Sequence, residues 1–464
     1  TSPNMPIDRP HRGFGNMSNV HIKRAVENIR SGTTIYTPVI ELIVNAIQAI
    51  EVNPEPCARE VVVAVRRAKQ LQIDTDDGAI PPVESFVVSD DGIGFDDSNR
   101  EAFDTLYTDN KISQGGKGFG RFTCLKYFED VLIDSTFSDA GTLRRRQFEM
   151  GKENEIIVKE KISAAMHAQT GSVVTLESAK KSGLDKKLST IARALVEKLL
   201  PYFIHDDYKC PKVILMEEDG SEEIVLNDYL KSSFAVIREI RTPTPLFSLE
   251  ANGETRNFKV RLFKFFSPGS SKSKISLVAH NREVTEVATH SYVPEFVDDF
   301  IEVVPGAESG VTKNYVIKTY VFGDYLDQHV SLERGGFEFH KDTEVLHGIS
   351  QNQIESQAAE LTKAAVEKEV TSRQQKKARQ VREYVEESAP WHRTILKKVD
   401  LSSFPYNPSS QEIEARLQDA KFRDEAKIRQ DVKRMLNEAS AGAFESDISE
   451  IVERISETSK NDLV

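Results

Sequence analysis

Cysteine is scarce in this 464-residue chain. Cys57, Cys124 and Cys210 are odd in number, far apart and free of any C-x-x-C pairing, so neither a disulfide framework nor a structural zinc site is indicated and a reducing compartment fits. Long hydrophobic runs are missing too. No segment approaches the ~18 apolar residues that suggest a membrane span, and the polar opening Thr1–Gly15 lacks a signal peptide's apolar stretch. The expectation is a cytoplasmic protein with no membrane partner. Nor is there an excess of positive charge: 61 Lys and Arg against 73 Asp and Glu leave a net −12, which disfavours indiscriminate binding of a phosphate backbone by the whole surface. Local basic patches stay open. Trp391 is the single tryptophan and reads as a partner anchor or, in preference, a packed helix end; no internal repeat is found.

What is present is length enough for two or three domains at roughly 100–200 residues each. Apolar spacing predicts a helix over 19–32 and another opened by Thr37-Pro38, with Thr37 as N-cap and proline at the first helical position. Strands are predicted at 61–65, 85–89, 147–161 and 172–176, with helices over 122–128 and 187–200. Asp219-Gly220 between 212–216 and 224–226 reads as a hairpin, and 258–266, 275–280, 283–287 and 315–322 are β-rich. From Ile349 the chain turns to charged helices with little obvious core, broken near Ser388–Pro390 and Ser402–Ser410. The division expected is 1–210, 211–348 and 349–464, an α/β (α+β) protein ending in helical arms.

Three short segments carry chemistry: E-L-I-V-N-A at Glu41–Ala46, D-D-G-I-G at Asp90–Gly94 and G-G-K-G-F-G-R at Gly115–Arg121. Glu41 and Asn45, at i and i+4, share one helix face with β-carbons about 5–6 Å apart. Magnesium takes one or two protein oxygens and leaves the rest to phosphates and water, so the Asn45 amide suits it; Glu41 can accept a proton from a water attacking the γ-phosphate. Asp90, after a strand, can accept from the exocyclic amine of adenine, a donor guanine lacks at that ring position, while Gly92 and Gly94 let backbone approach the base. Gly115, Lys117, Gly118 and Gly120 precede a helix whose free amides can bind phosphate oxygens, with Lys117 and Arg121 adding charge. Alone, each segment also reads as something bland: an amphipathic helix, an acidic turn, a glycine loop. In this order they read as a site for ATP and Mg2+.

The chain thereby resembles the GHKL superfamily of type II topoisomerase ATPases, the large heat-shock chaperone, histidine kinases and MutL. The resemblance, over about residues 19–205, implies a Bergerat-type ATPase sandwich. By that resemblance Glu41 and Asn45 would form the N-box, Asp90, Gly92 and Gly94 the adenine motif, and Gly115, Gly118 and Gly120 the lid motif. Gly171-Ser172-Val173-Val174 is similar to the fourth motif, with Ser172 in place of threonine, and Gln48 departs from the acidic residue frequent three positions after the N-box Asn. The β-rich region after Leu226 resembles the transducer domain of the topoisomerase, MutL, MORC and chaperone branches, S-L-V-A-H-N-R-E-V at Ser276–Val284 included. In those branches the transducer lends a basic residue to the γ-phosphate; Arg334, or Lys341, is the candidate.

The resemblance implies a slow ATPase working as an ATP-gated clamp or remodeller. ATP would order residues 104–120 over the nucleotide and favour a homodimer through the N-terminal segment. A scaffold that binds nucleotide with little turnover and a histidine-kinase-like phosphotransferase are the alternatives; Glu41 speaks against the second, since the kinases commonly carry Asn there. A DNA or protein partner is expected at the C-terminal helices, where Arg373, Lys376, Lys377, Arg379 and Arg382 form a basic run that suits nucleic acid or an ordinary helix surface.

Overall fold

The computed structural model describes residues 22–27, 29, 33–55, 57–68, 80–105, 121–180, 184–232, 235–243, 245–251, 253–269, 271–303, 312–331, 336–339, 348–439, 452 and 456. These form a mixed α/β protein with two sheets and C-terminal helices. The chain divides into two compact units: Thr1–Ala235 with Ala279–Val284 and His329–Glu338, and Val236–Val278 with Thr285–Gln328 and Phe339–Val464. Among the described residues no helix is long and apolar enough to cross a membrane.

The first unit contains α1 (Ile22–Glu27), α2 (Thr37–Glu51), β1 (Glu60–Arg67), β2 (Val83–Asp90), α3 (Asp97–Asp104), α4 (Phe122–Tyr127), β3 (Phe128–Asp139), β4 (Thr142–Met150), β5 (Ile157–Ala164), β6 (Gly171–Ala179), α5 (Leu188–Ile204), β7 (Lys212–Glu217) and β8 (Glu223–Val225). Its eight strands run in the order β5-β4-β3-β6-β2-β1-β7-β8. Neighbours are antiparallel except β1 and β7. Strict alternation in β1 sends Val61, Val63 and Val65 to a buried face, the period-2 pattern of a half-covered strand. Helix α2 covers β1 and β2 with Val39, Ile43, Val44, Ala46, Ile47 and Ile50; α5 lies on β7 with Ile191, Leu195, Leu199 and Leu200. Each Val, Ile or Leu side chain among them contributes about 1.5–3 kcal/mol on burial.

Several expectations shift here. β7 and β8 belong to the first sheet, because β7 lies parallel to β1 from Glu60↔Lys212 onward, so 211–226 do not open the second unit. The run 147–161 is two antiparallel strands, β4 and β5, separated by a turn. β3 was not foreseen at all. Helix α2 starts at Thr37 itself, after Tyr36, and the Thr37 hydroxyl accepts the Thr34 N–H at 2.9 Å instead of capping forward.

The second unit contains β9 (Ile237–Ile240), β10 (Leu246–Ala251), β11 (Glu254–Phe266), β12 (Lys274–Ala279), most of β13 (Arg282–Ala288), β14 (Phe300–Val303), β15 (Thr312–Phe322), α6 (Asp324–Gln328), α7 (Gln351–Ala365), α8 (Glu367–Glu387), α9 (Arg393–Leu396) and α10 (Ser410–Ala439). Its sheet runs β10-β11-β15-β12-β13, with β14 on β15 and β9 on β11. Helix α7 opens with a capping box between Ser350 and Gln353 and lies on β15, where the buried Thr362 and Thr319 hydroxyls meet at 2.7 Å.

The C-terminal helices have the core that their sequence hid. Val381, Val385, Ile395, Phe404, Ile413 and Leu417 pack together, and Tyr384 and His392 both hold the Glu414 carboxylate, at 2.9 and 3.0 Å. The basic run is also divided. Lys377 is 1% exposed, bonded to Glu295 at 2.6 Å and to the carbonyls of Ser402 and Phe404; Arg373 donates to the carbonyls of Glu295, Asp298 and Asp299 and stacks over Phe300. Lys376, Arg379 and Arg382 face solvent.

Candidate functional site

Asp90 ends β2 between two neighbours, in register with Val61 of β1 on one side and Ser172 of β6 on the other. Its carboxylate accepts the Gly92 N–H at 2.8 Å and a backbone bond from Ser172. Burial pushes the acid up to about 7, with the neighbouring Asp91 charge adding to it and those hydrogen bonds opposing. The adjacent Asp91 is structural, since its carboxylate gathers the N–H groups of Ala58, Arg59 and Glu60 and so anchors the entry to β1.

The turn after Asp90 has no room for side chains. A Cβ on Gly92 would stand 2.5 Å from the Ala49 Cβ of α2, and Gly94, at φ +76°, would put one 2.3 Å from the Thr136 carbonyl. Ile93 N–H bonds to the Ala49 carbonyl at 3.2 Å, so the turn is stitched to α2. That contact brings Glu41 and Asn45 to the same part of the unit as Asp90. Asn45 is exposed and Glu41 is half-buried. The Glu41 charge also reaches Cys124 on α4, whose thiol is driven up to about 12, chiefly by burial and secondly by that charge.

The hairpin 279–284 contributes a cation. Arg282 Nη1 lies 3.9 Å from Glu41 Oε2, and its Nε donates to the Tyr202 hydroxyl at 3.3 Å. Burial works against the guanidinium charge, Glu41 and Tyr202 work for it, and Arg282 ends above its ordinary value.

Sequence reasoning missed the hub of the site. Ser135 of β3, 1% exposed, accepts the Phe95 N–H at 2.9 Å, donates to the Gly171 carbonyl at 3.0 Å and meets the Ser172 hydroxyl at 3.1 Å. The available signal was Val131 and Ile133 alternating with Asp130, Leu132 and Asp134, a strand pattern that carries Ser135 inward. Arg146 of β4, also buried, donates to the carbonyls of Phe95 and Asp96 and pairs with Asp97 and Glu160, fixing the chain just beyond Gly94.

Arg121 does not serve as a spare charge for phosphate. It donates to the carbonyls at the end of α3, those of Ala102, Phe103 and Thr105, and burial lowers it to about 10. Gly115, Lys117, Gly118 and Gly120, with Arg334 and Lys341, lie outside the described residues. Among the described residues no group of three His, Cys, Asp or Glu side chains could hold a metal ion. The chemistry on hand is a half-buried acceptor at Asp90, a carboxylate at Glu41, an amide oxygen at Asn45 and a hydroxyl at Ser172.

No protein-family model and no curated protein matches the chain. Among solved structures it is similar to one described as the crystal structure of the N-terminal domain of a DNA repair protein, with 12% identity and a TM-score of 0.40, over 76% of this chain and 98% of that one.

Proposed function

We propose that the protein is an ATP-binding and ATP-hydrolysing GHKL-type protein with a Bergerat-type first unit and a transducer-like second sheet. It acts as an ATP-gated dimeric clamp or remodeller on nucleic acid or a protein partner. One observation carries the reading: a half-buried Asp90 carboxylate at a strand end, its described hydrogen-bond donors all backbone, beside a turn packed against the helix of Glu41 and Asn45. Such an acid accepts from the adenine amine and so favours ATP over GTP.

Asn45 is the magnesium ligand in this reading, its single amide oxygen fitting an ion that keeps phosphate and water around it. Bound there, the ion would offset the charge of the phosphates. Glu41 takes the proton of the attacking water, and Ser172 lends its hydroxyl beside Asp90. Gly115, Lys117, Gly118 and Gly120 cover the phosphates, and Arg334 senses the last of them; these roles rest on the sequence.

Calorimetry with ATP and GTP tests the pocket, and turnover tests the base. Glu41→Ala is expected to keep ATP binding while cutting hydrolysis about 10²–10⁴-fold. Hydrolysis at the parental rate would remove Glu41 from its role, and absence of adenine-nucleotide binding by the parent would remove the reading altogether.

A further inference from the structure

The turn at the tip of β12 and β13 is built against backbone preference. His280 and Asn281 stand at φ +47° and +61°, two consecutive left-handed residues in the geometry of a two-residue type I′ hairpin. Asparagine and histidine are among the side chains that adopt this conformation most readily, yet two such residues in succession are uncommon, and strain of this kind persists where the surroundings over-determine it. The surroundings here are one side of α5 and the residue just after it, at spacings of four and three. Lys198 lies 4.0 Å from Glu283, Tyr202 accepts from Arg282, and the His205 ring shares a hydrogen bond with Asn281. Three successive hairpin residues are thus held, and the middle one points its guanidinium at Glu41.

We propose that Arg282 is a positioning residue for Glu41: steadied by Tyr202, it attracts Oε2 of the carboxylate and leaves Oε1 turned to accept the proton of the attacking water. The inference rests on the ATPase reading of Glu41 and adds a partner to it. With side chains 25% and 33% exposed, the pair is shielded from salt better than a surface ion pair. A base oriented by a third group is a recurring arrangement in which the orienting group affects rate more than binding.

The full chain is assayed for ATP turnover and, separately, for ADP binding by calorimetry. Arg282→Ala is expected to lower kcat about 10- to 100-fold, less than loss of the base, with KM for ATP and ADP affinity within about threefold of the parent. Arg282→Lys, which keeps the charge, recovers kcat to within about fivefold of the parent. Tyr202→Phe lowers kcat in the same direction by about two- to fivefold and serves if the alanine variant does not fold. In a Glu41→Gln background, Arg282→Ala adds no further loss.

Parental kcat in Arg282→Ala overturns the inference. So does a raised KM at unchanged kcat, which would mean that Arg282 touches the nucleotide itself, or a further loss in the Glu41→Gln background. If Glu41→Gln abolishes turnover while Arg282→Ala matches the parent, the ATPase reading stands and this inference alone falls. If Glu41→Gln turns over normally, the base role of Glu41 fails first and this inference falls with it.

Discussion

Asp90 is a costly residue for the fold. An acid near 7 when folded, against 3.8 when free, binds its proton more tightly in the native state. Stability therefore falls as pH rises between those values, and the full penalty persists above 7. Asp90→Asn retains an oxygen for the Gly92 N–H and removes the half-buried charge. Thermal unfolding at pH 8 should show the variant about 1–3 kcal/mol more stable than the parent, with the gain shrinking toward pH 4, while calorimetry shows nucleotide binding lost. A variant that is destabilised at pH 8, or that still binds ATP at parental affinity, contradicts the role given to this carboxylate.

At the scale of elements, the buried pair Lys377–Glu295 separates structural from surface charge in α8. Lys377→Met leaves Glu295 buried without its cation and should cost about 3–5 kcal/mol in chemical denaturation, whereas Arg379→Ala, on the solvent side, should change stability by less than about 0.5 kcal/mol. Equal effects would place both residues in the same environment. The junction of α8, α9 and α10 carries its own pH dependence. Burial raises the Glu414 carboxyl, but hydrogen bonds from His392, Gln418 and Tyr384 outweigh it and leave the acid below its ordinary value. Its contribution is present above the free value of 4.5 and fades as pH falls through the lower folded value. Glu414→Gln should accordingly speed hydrogen exchange in α8–α10 at pH 7 and make little difference near pH 3.

Elements were legible where one local pattern dominated and illegible where pairing decided. The valines of β1 and the aliphatic face of α5 announced themselves by period, and Asp90 by the glycines that follow it. β3 escaped notice because its buried face includes the polar Ser135, whose inward position depends on partners 36 residues away and more. Arg373 and Lys377 looked like surface charge, since nothing local foretells a glutamate 82 residues earlier in the chain. Glu41 and Asn45 could be placed on one face by spacing alone. Their neighbour Arg282 could not, because its approach is set by the hairpin at 279–284 returning to the first unit.

For the whole molecule, the clamp proposal needs a nucleotide-dependent change of association, since a ligand shifts an equilibrium only through unequal affinity for its two states. Light scattering should give a dimer with a non-hydrolysable ATP analogue and Mg2+, and a smaller species with ADP. The same mass under both conditions rejects the clamp while leaving nucleotide binding intact. The acidic net charge of −12 implies that any nucleic-acid partner is met by a local surface, and Lys376, Arg379 and Arg382 are the solvent-facing part of the basic run.

β6 slots between β2 and β3, although it follows both in the chain. Asp90 therefore acquires Ser172 as its neighbour, and Ser172 meets Ser135, only when the latest of the three strands enters the gap between the two earlier ones. With β1, β2 and β3 alone, the acid, the glycines and the helix with Glu41 are all present, yet Asp90 lacks one of its two strand neighbours. The surroundings of Asp90 are therefore completed by the pairing of a strand distant in sequence, so that finishing the sheet and finishing this corner of it are one event.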